Sequence, residues 1–171
     1  NMDVQQNTAV DTSALYAALN NPQREIVLLP EAREITDNWL AYLTAQSEIE
    51  NFRAYTVKEV SDNATPIAEI MQNLRETAPK QFSSNAVQTR LSVLYTKARV
   101  LEFLTKKRNP DYSEIKSTAE ELPEEFNNFK IQLNELFLKT LEDLELELDA
   151  FEVEDTTSRP LLRTLPRIRR E

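Results

Sequence analysis

The side chains best able to do chemistry in this 171-residue chain are its 29 acids. They are densest in LEDLELELDAFEVED, where Glu142, Asp143, Glu145, Glu147, Asp149, Glu152, Glu154 and Asp155 meet no base. Hard cations such as calcium prefer clustered oxygen ligands. A calcium loop needs a sharply turning backbone, however, and acids spread round a helix do not converge on one point. A solvated helical face is the better account, and no metal ligand is assigned. Carboxylates inside a four-helix bundle can hold two irons, but that design couples Glu to a His three residues on, and the chain has no His. Paired carboxylates can also do acid–base work, as in glycoside hydrolysis. With so many acids such pairs arise by chance, and no catalytic residue is assigned.

The missing residue types exclude more. The chain has no Gly, no Cys and no His. Without Gly the phosphate-cradling turns of nucleotide-binding loops and the strained nucleophile elbow of hydrolases are not available. Without Cys or His the usual zinc sites, thiol nucleophiles and Ser-His pairs cannot be built. No side chain has an ordinary pKa near neutrality. No enzyme class and no cofactor is therefore expected.

Two other groups of residues invite a functional reading. Trp39, Tyr42 and Tyr95 sit on or beside helical seams and could line a ligand pocket between helices, although core packing is the default for such rings. The C-terminal RPLLRTLPRIRRE holds Arg159, Arg163, Arg167, Arg169 and Arg170 against one acid, Glu171. Pro160 and Pro166 forbid a continuous helix there, and Leu161, Leu162, Leu165 and Ile168 are too apolar for a simple solubilising end. The tail is expected to dock on its own bundle; the alternatives are that it grips a partner protein or an anionic surface, or that it is disordered and without consequence. Nucleic acid is excluded as a partner, because residues 1–158 carry 15 bases against 28 acids and would repel phosphate. Lys106, Lys107 and Arg108 complement the dipole at a helix C-terminus. Asn63 heads a formal glycan acceptor triplet, which the following Pro66 argues against.

The elements that must position these residues follow from hydrophobic spacing. Thr12 or Ser13 caps a short helix through TSALYAALNN, stopped by Asn20, Asn21 and Pro22. Pro30 opens a helix of about 31 to 60, with Ile35, Trp39, Tyr42, Ile49, Phe52 and Val60 on one stripe. Thr65 and Pro66 begin a short helix bearing Ile67, Ile70, Met71 and Leu74, and Pro79 ends it. FSSN caps a helix of about 84 to 108 with the seam Val87, Leu91, Leu94, Ala98 and Leu101. Val93, Val100 and Leu104 widen that seam, as in a helix covered on two sides. The last helix, about 112 to 151, runs Ile115, Ala119, Leu122, Phe126, Phe129, Leu133 and Leu136. Its seam then shifts one position to Phe137, Leu141, Leu144, Leu148 and Phe151. Pro123 should kink or restart it. EIVLL is the one stretch with strand character, and it has no obvious partner strand.

Apolar runs such as IVLL and ALYAAL are far shorter than the about 20 residues of a transmembrane span. The expected fold is all-α: an up-and-down antiparallel bundle of about four main helices with a short N-terminal helix. A flexible lead covers 1–12, the bundle 13–151, and an extended acidic-to-basic tail 152–171. No feature sets an oligomeric state.

The opening NMDVQQNTAVDTS, the absence of Cys and FNNFKIQLNELF in a long last helix form a layout that resembles uncharacterised helical-bundle domains of bacterial envelope lipoproteins. Those domains begin as a polar tether directly after a lipidated Cys, which is not in this sequence. The resemblance implies a cell-envelope or periplasmic setting, lipid-anchored upstream of Asn1, with the cytoplasm as the alternative. It carries over no functional residues. The resulting expectation is a non-enzymatic, envelope-associated interaction or scaffold module, the alternative being a small-ligand or cation-binding bundle.

Overall fold

The computed structural model describes residues 12–22, 24–138 and 141–157. The protein is all-α. Its helices are α1 (Pro30–Thr36), α2 (Leu40–Asn51), α3 (Val57–Asp62), α4 (Ala64–Glu76), α5 (Asn85–Thr105), α6 (Tyr112–Glu135) and α7 (Leu141–Thr157). Two 3₁₀ turns, Ser13–Tyr16 and Lys80–Phe82, join them, and the described residues contain no strand, only a lone antiparallel bridge between Ala18 and Thr56. The chain divides into two compact units, Asn1–Phe137 and Leu138–Glu171. The N-terminal lead lies outside the described residues up to residue 11, and so does the tail from residue 158.

The helix expected over 31–60 is three helices, because two residues on its stripe serve better outside a helix. Trp39 leaves the helical region (φ −108°, ψ 91°) and turns its ring into the core, while Asn38 Nδ2 donates to the Glu34 carbonyl at 2.8 Å. Thr56 is extended and opens α3 with a reciprocal cap, its hydroxyl accepting from the Glu59 amide while the Glu59 carboxylate accepts from the Thr56 amide. That pairing satisfies two amides that the helix start would otherwise leave open. The short N-terminal helix is also corrected. Only one 3₁₀ turn forms, without a side-chain cap from Thr12, and the chain then extends so that Leu19 donates to the Tyr55 carbonyl and Val57 to the Ala17 carbonyl.

Pro123 does not restart the last helix: α6 is continuous through it. It lies buried inside α6, whose seam of Ile115, Ala119, Leu122, Phe126, Phe129 and Leu133 is buried along its whole length. Packing on that scale outweighs the one backbone bond that proline removes. The helix ends at Glu135 instead, where the apolar seam shifts by one position. A straight helix cannot hold both registers on one face. Phe137, past the end, turns back to place its ring 6.4 Å from that of Phe82.

The core of the first unit is contributed by every helix from α1 to α6. α5 lies against both α4 and α6, but of the residues that widen its seam only Leu104 is buried, Val93 and Val100 being partly exposed. Ion pairs Arg90–Glu125, Lys97–Glu121 and Lys107–Glu114 descend α6 as they climb α5, so these two helices run antiparallel. Ser84 caps α5 through the Val87 amide at 3.2 Å, and Asp111 caps α6 through the Ser113 and Glu114 amides.

EIVLL is extended, and its partner is a helix. Asn134 Oδ1 accepts from the Leu29 amide at 2.8 Å and Asn134 Nδ2 donates to the Val27 carbonyl at 2.9 Å. Asn127 Nδ2 donates to the Arg24 carbonyl, and Glu120 accepts from the Asn20 amide. Glu120, Asn127 and Asn134 are spaced by sevens, hence on one face of α6. They strap the segment from Asn20 to Leu29 along that helix.

Candidate functional site

The aromatic residues separate. Trp39 and Tyr42 stack with ring centroids 6.0 Å apart, and Phe82, Phe126 and Phe129 close round them at 5.7 to 6.3 Å. Trp39 Nε1 donates to Thr77 Oγ1 at 2.9 Å. The Tyr42 hydroxyl is buried with no hydrogen-bond partner among the described residues. Burial above all, then the nearby charges of Asp37 and Glu50, holds its pKa far above the usual tyrosine value. These two rings are packed interior. Tyr95 sits elsewhere, on α5, with the Arg75 guanidinium 4.1 Å over its ring. The three therefore do not converge on one pocket. Arg159, Arg163, Arg167, Arg169 and Arg170 lie outside the described residues.

Among the described residues the one buried acid is Glu102 of α5. It accepts from Lys106 Nζ at 2.5 Å and Thr65 Oγ1 at 3.0 Å, and it pairs with Arg99. The Lys106 bond leads in holding its carboxyl below the ordinary range, with Thr65 and Arg99 adding to it. A carboxylate so satisfied ties the start of α4 to the end of α5 and offers no proton at neutral pH. Among the described residues no group of three His, Cys, Asp or Glu is placed to hold a metal ion. No helix among them is long and apolar enough to cross a membrane.

A groove of about 760 Å³ runs along α5, facing α6. Its floor is made of small and hydroxylated residues, Asn85, Thr89, Ser92 and Thr96, with Val93 and Val100 between them. Residues four and seven apart fall on one side of a helix, and the same side continues to Phe103, which is 67% exposed. Lys97 and Glu121, paired across the groove, form part of its wall.

Compared with known proteins, the chain matches no family model, no curated protein and no solved structure. The site must be read from its own chemistry.

The charges of this surface stand out in a chain of net charge −9. α5 carries Arg90, Lys97 and Arg99, and its single acid, Glu102, is buried. Lys106, Lys107 and Arg108 follow it directly. The outward side of α5 is thus apolar at its centre, basic at its margins and free of exposed acid. Sequence reasoning passed over it because Val93 and Val100 were counted as core. In the structure Val93 is half-buried and Val100 is 44% exposed. Counting acids helix by helix would have found it.

A second, more polar pocket of about 460 Å³ lies between the strap and α6. Arg24, Glu124 and Asn128 line it together with Asn21. The Asn21 Nδ2 is buried without a partner among the described residues.

Proposed function

We propose that this protein is a non-enzymatic interaction module whose recognition surface is the outward side of α5 and its groove towards α6. The observation that carries the reading is the basic-rimmed apolar stripe Val93, Val100 and Phe103 on a helix with no exposed acid of its own, Glu121 across the groove being paired with Lys97. Exposed apolar side chains rimmed by polar ones mark protein-binding surfaces, and small residues along a helix let another helix approach closely. The ligand this chemistry suits is an amphipathic acidic helix, its apolar seam on Val93 and Val100 and its carboxylates towards Lys97 and Lys107. The proposal includes the envelope setting that the layout of the chain implies, checked by fractionating the cells that make it. Recovery wholly in the cytosolic fraction removes that part.

The test is fluorescence anisotropy with a labelled synthetic peptide of Leu and Glu in helical heptads, unrelated in sequence to this chain. The intact protein should bind it, and Val100→Glu should abolish binding while leaving the melting temperature in place. No binding by the intact protein, or equal binding by Val100→Glu, would sink the reading.

The unpartnered Asn21 favours a second reading, small-ligand binding beneath the strap. Asn21 Nδ2 and the Arg24 guanidinium could there hold a carboxylate. Millimolar small carboxylates should then raise the melting temperature of the intact protein but not of Arg24→Ala. A uniform absence of shift removes it.

A further inference from the structure

We infer that the helix taken by the α5 surface is α7 of a second copy of this chain, so that the protein is a reciprocal homodimer. This deepens the interaction reading and rests on it. α7 is the chemical complement of the α5 side. Between Leu141 and Thr157 it carries eight acids and no base, where α5 shows bases and no exposed acid. Its apolar residues Leu141, Leu144, Leu148 and Phe151 recur at steps of three and four, the spacing of a seam made to lie along another helix. Its described side chains are not buried: Leu144 is 41% exposed, Leu148 66% and Phe151 76%.

Lengths match as well. The 17 residues of α7 span roughly 25 Å, and the 15 steps from Asn85 to Val100 along the groove span roughly 23 Å, at 1.5 Å per residue. An isolated helix of this size is marginal in water, so a seam of this kind stabilises the helix only when something covers it. A second copy covers it twice. By two-fold symmetry α7 of each copy lies on α5 of the other, which closes the assembly and leaves no unsatisfied seam for further growth. Leu144 and Phe151 are seven residues apart, as are Val93 and Val100, so the two pairs can seat on one another. Glu145 and Asp149 then flank the seam on one side, the side set towards Lys97 and Lys107, whose present partners are Glu121 and Glu114 of α6.

The experiment is sedimentation equilibrium on the full chain and two charge-reversed variants. Variant one carries Glu145→Lys and Asp149→Lys on α7; variant two carries Lys97→Glu and Lys107→Glu on α5. The intact chain should show a concentration-dependent mass of twice 19.8 kDa. Each variant alone should fall to the monomer mass, since like charges then face each other. Mixing the two restores opposite charges at both docks, and the dimer should return. Circular dichroism checks that both variants keep their helices. Should a reversal unfold the chain, Leu148→Ser replaces it with the same expected loss of dimer.

A monomer at every concentration overturns the inference. So does a dimer indifferent to both reversals, or a mixture that stays monomeric. If the dimer fails while the unrelated acidic peptide still binds, the interaction surface stands and only the identity of its occupant falls.

Discussion

Asn134 does for Leu29 what a neighbouring strand would do. Its Oδ1 accepts the Leu29 amide at 2.8 Å while its Nδ2 donates to the carbonyl of Val27. One side-chain amide thus presents the donor and acceptor of a peptide group, from 105 residues along the chain. Replacing Asn134 by Leu removes both partners and should cost about 1–3 kcal/mol in urea unfolding. Asn134→Asp keeps the acceptor but sets a carboxylate against the Val27 carbonyl. It should be the worse variant at neutral pH and should recover as the acid is protonated. Equal stability of Asn134→Leu and the parent would show that the strap is held by other contacts.

Tyr42→Phe should leave stability unchanged or raise it by about 1–2 kcal/mol, since it deletes a buried hydroxyl that no partner satisfies. The same residue sets an alkaline limit. Burial holds its pKa well above the ordinary value, so the unfolded chain ionises at this position first and stability falls as pH rises past about 10. Thermal melts from pH 9 to 11 should show a shallower decline for Tyr42→Phe. A loss of stability at pH 7 in that variant would reveal a partner for the hydroxyl.

Glu102 sets the acid limit. Its folded pKa lies below the ordinary 4.5, led by the Lys106 bond. Its contribution is therefore complete above that value and is lost as pH falls through the folded pKa. Glu59, held low first by the Thr56 amide, has the same sign. Melting temperature should fall steeply below about pH 4, and less steeply in Glu102→Gln, which starts lower at pH 7. A pH profile identical to the parent's would mean that Glu102 does not drive acid unfolding.

The Trp39–Thr77 bond should show as coupling. Thr77→Val strands the indole N–H and should cost about 1–2 kcal/mol, while Thr77→Val added to Trp39→Phe should cost less than the two single changes together. Strict additivity in that double-mutant cycle would show the bond to be energetically idle.

The helices α4, α5 and α6 were legible in the sequence because each buries one continuous face, so the apolar spacing is their packing. The division of residues 31–60 was not legible from spacing, because Trp39 and Thr56 keep to the stripe while their backbones leave the helix. Thr56 and Glu59 did advertise a helix start three residues apart. The partner of EIVLL could not be read at all, since the bonds come from side chains on a helix 105 residues later rather than from a second strand. For the functional surface, Trp39 and Tyr42 drew attention by type, yet bulk and apolarity took them into the core. The α5 side was hidden because a half-exposed valine and a buried one look alike in sequence.

The strap also has a consequence for how the protein comes into being. Asn20 to Leu29 leave the ribosome before Glu120, Asn127 and Asn134, which hold them and are made 100 to 105 residues later. At about 5–20 residues per second, the segment IVLL waits roughly 5–20 s as a nascent strand with no hydrogen-bonding mate. For that interval this short apolar run depends on whatever shelters newly made protein in the cell, and synthesis of α6 ends the exposure.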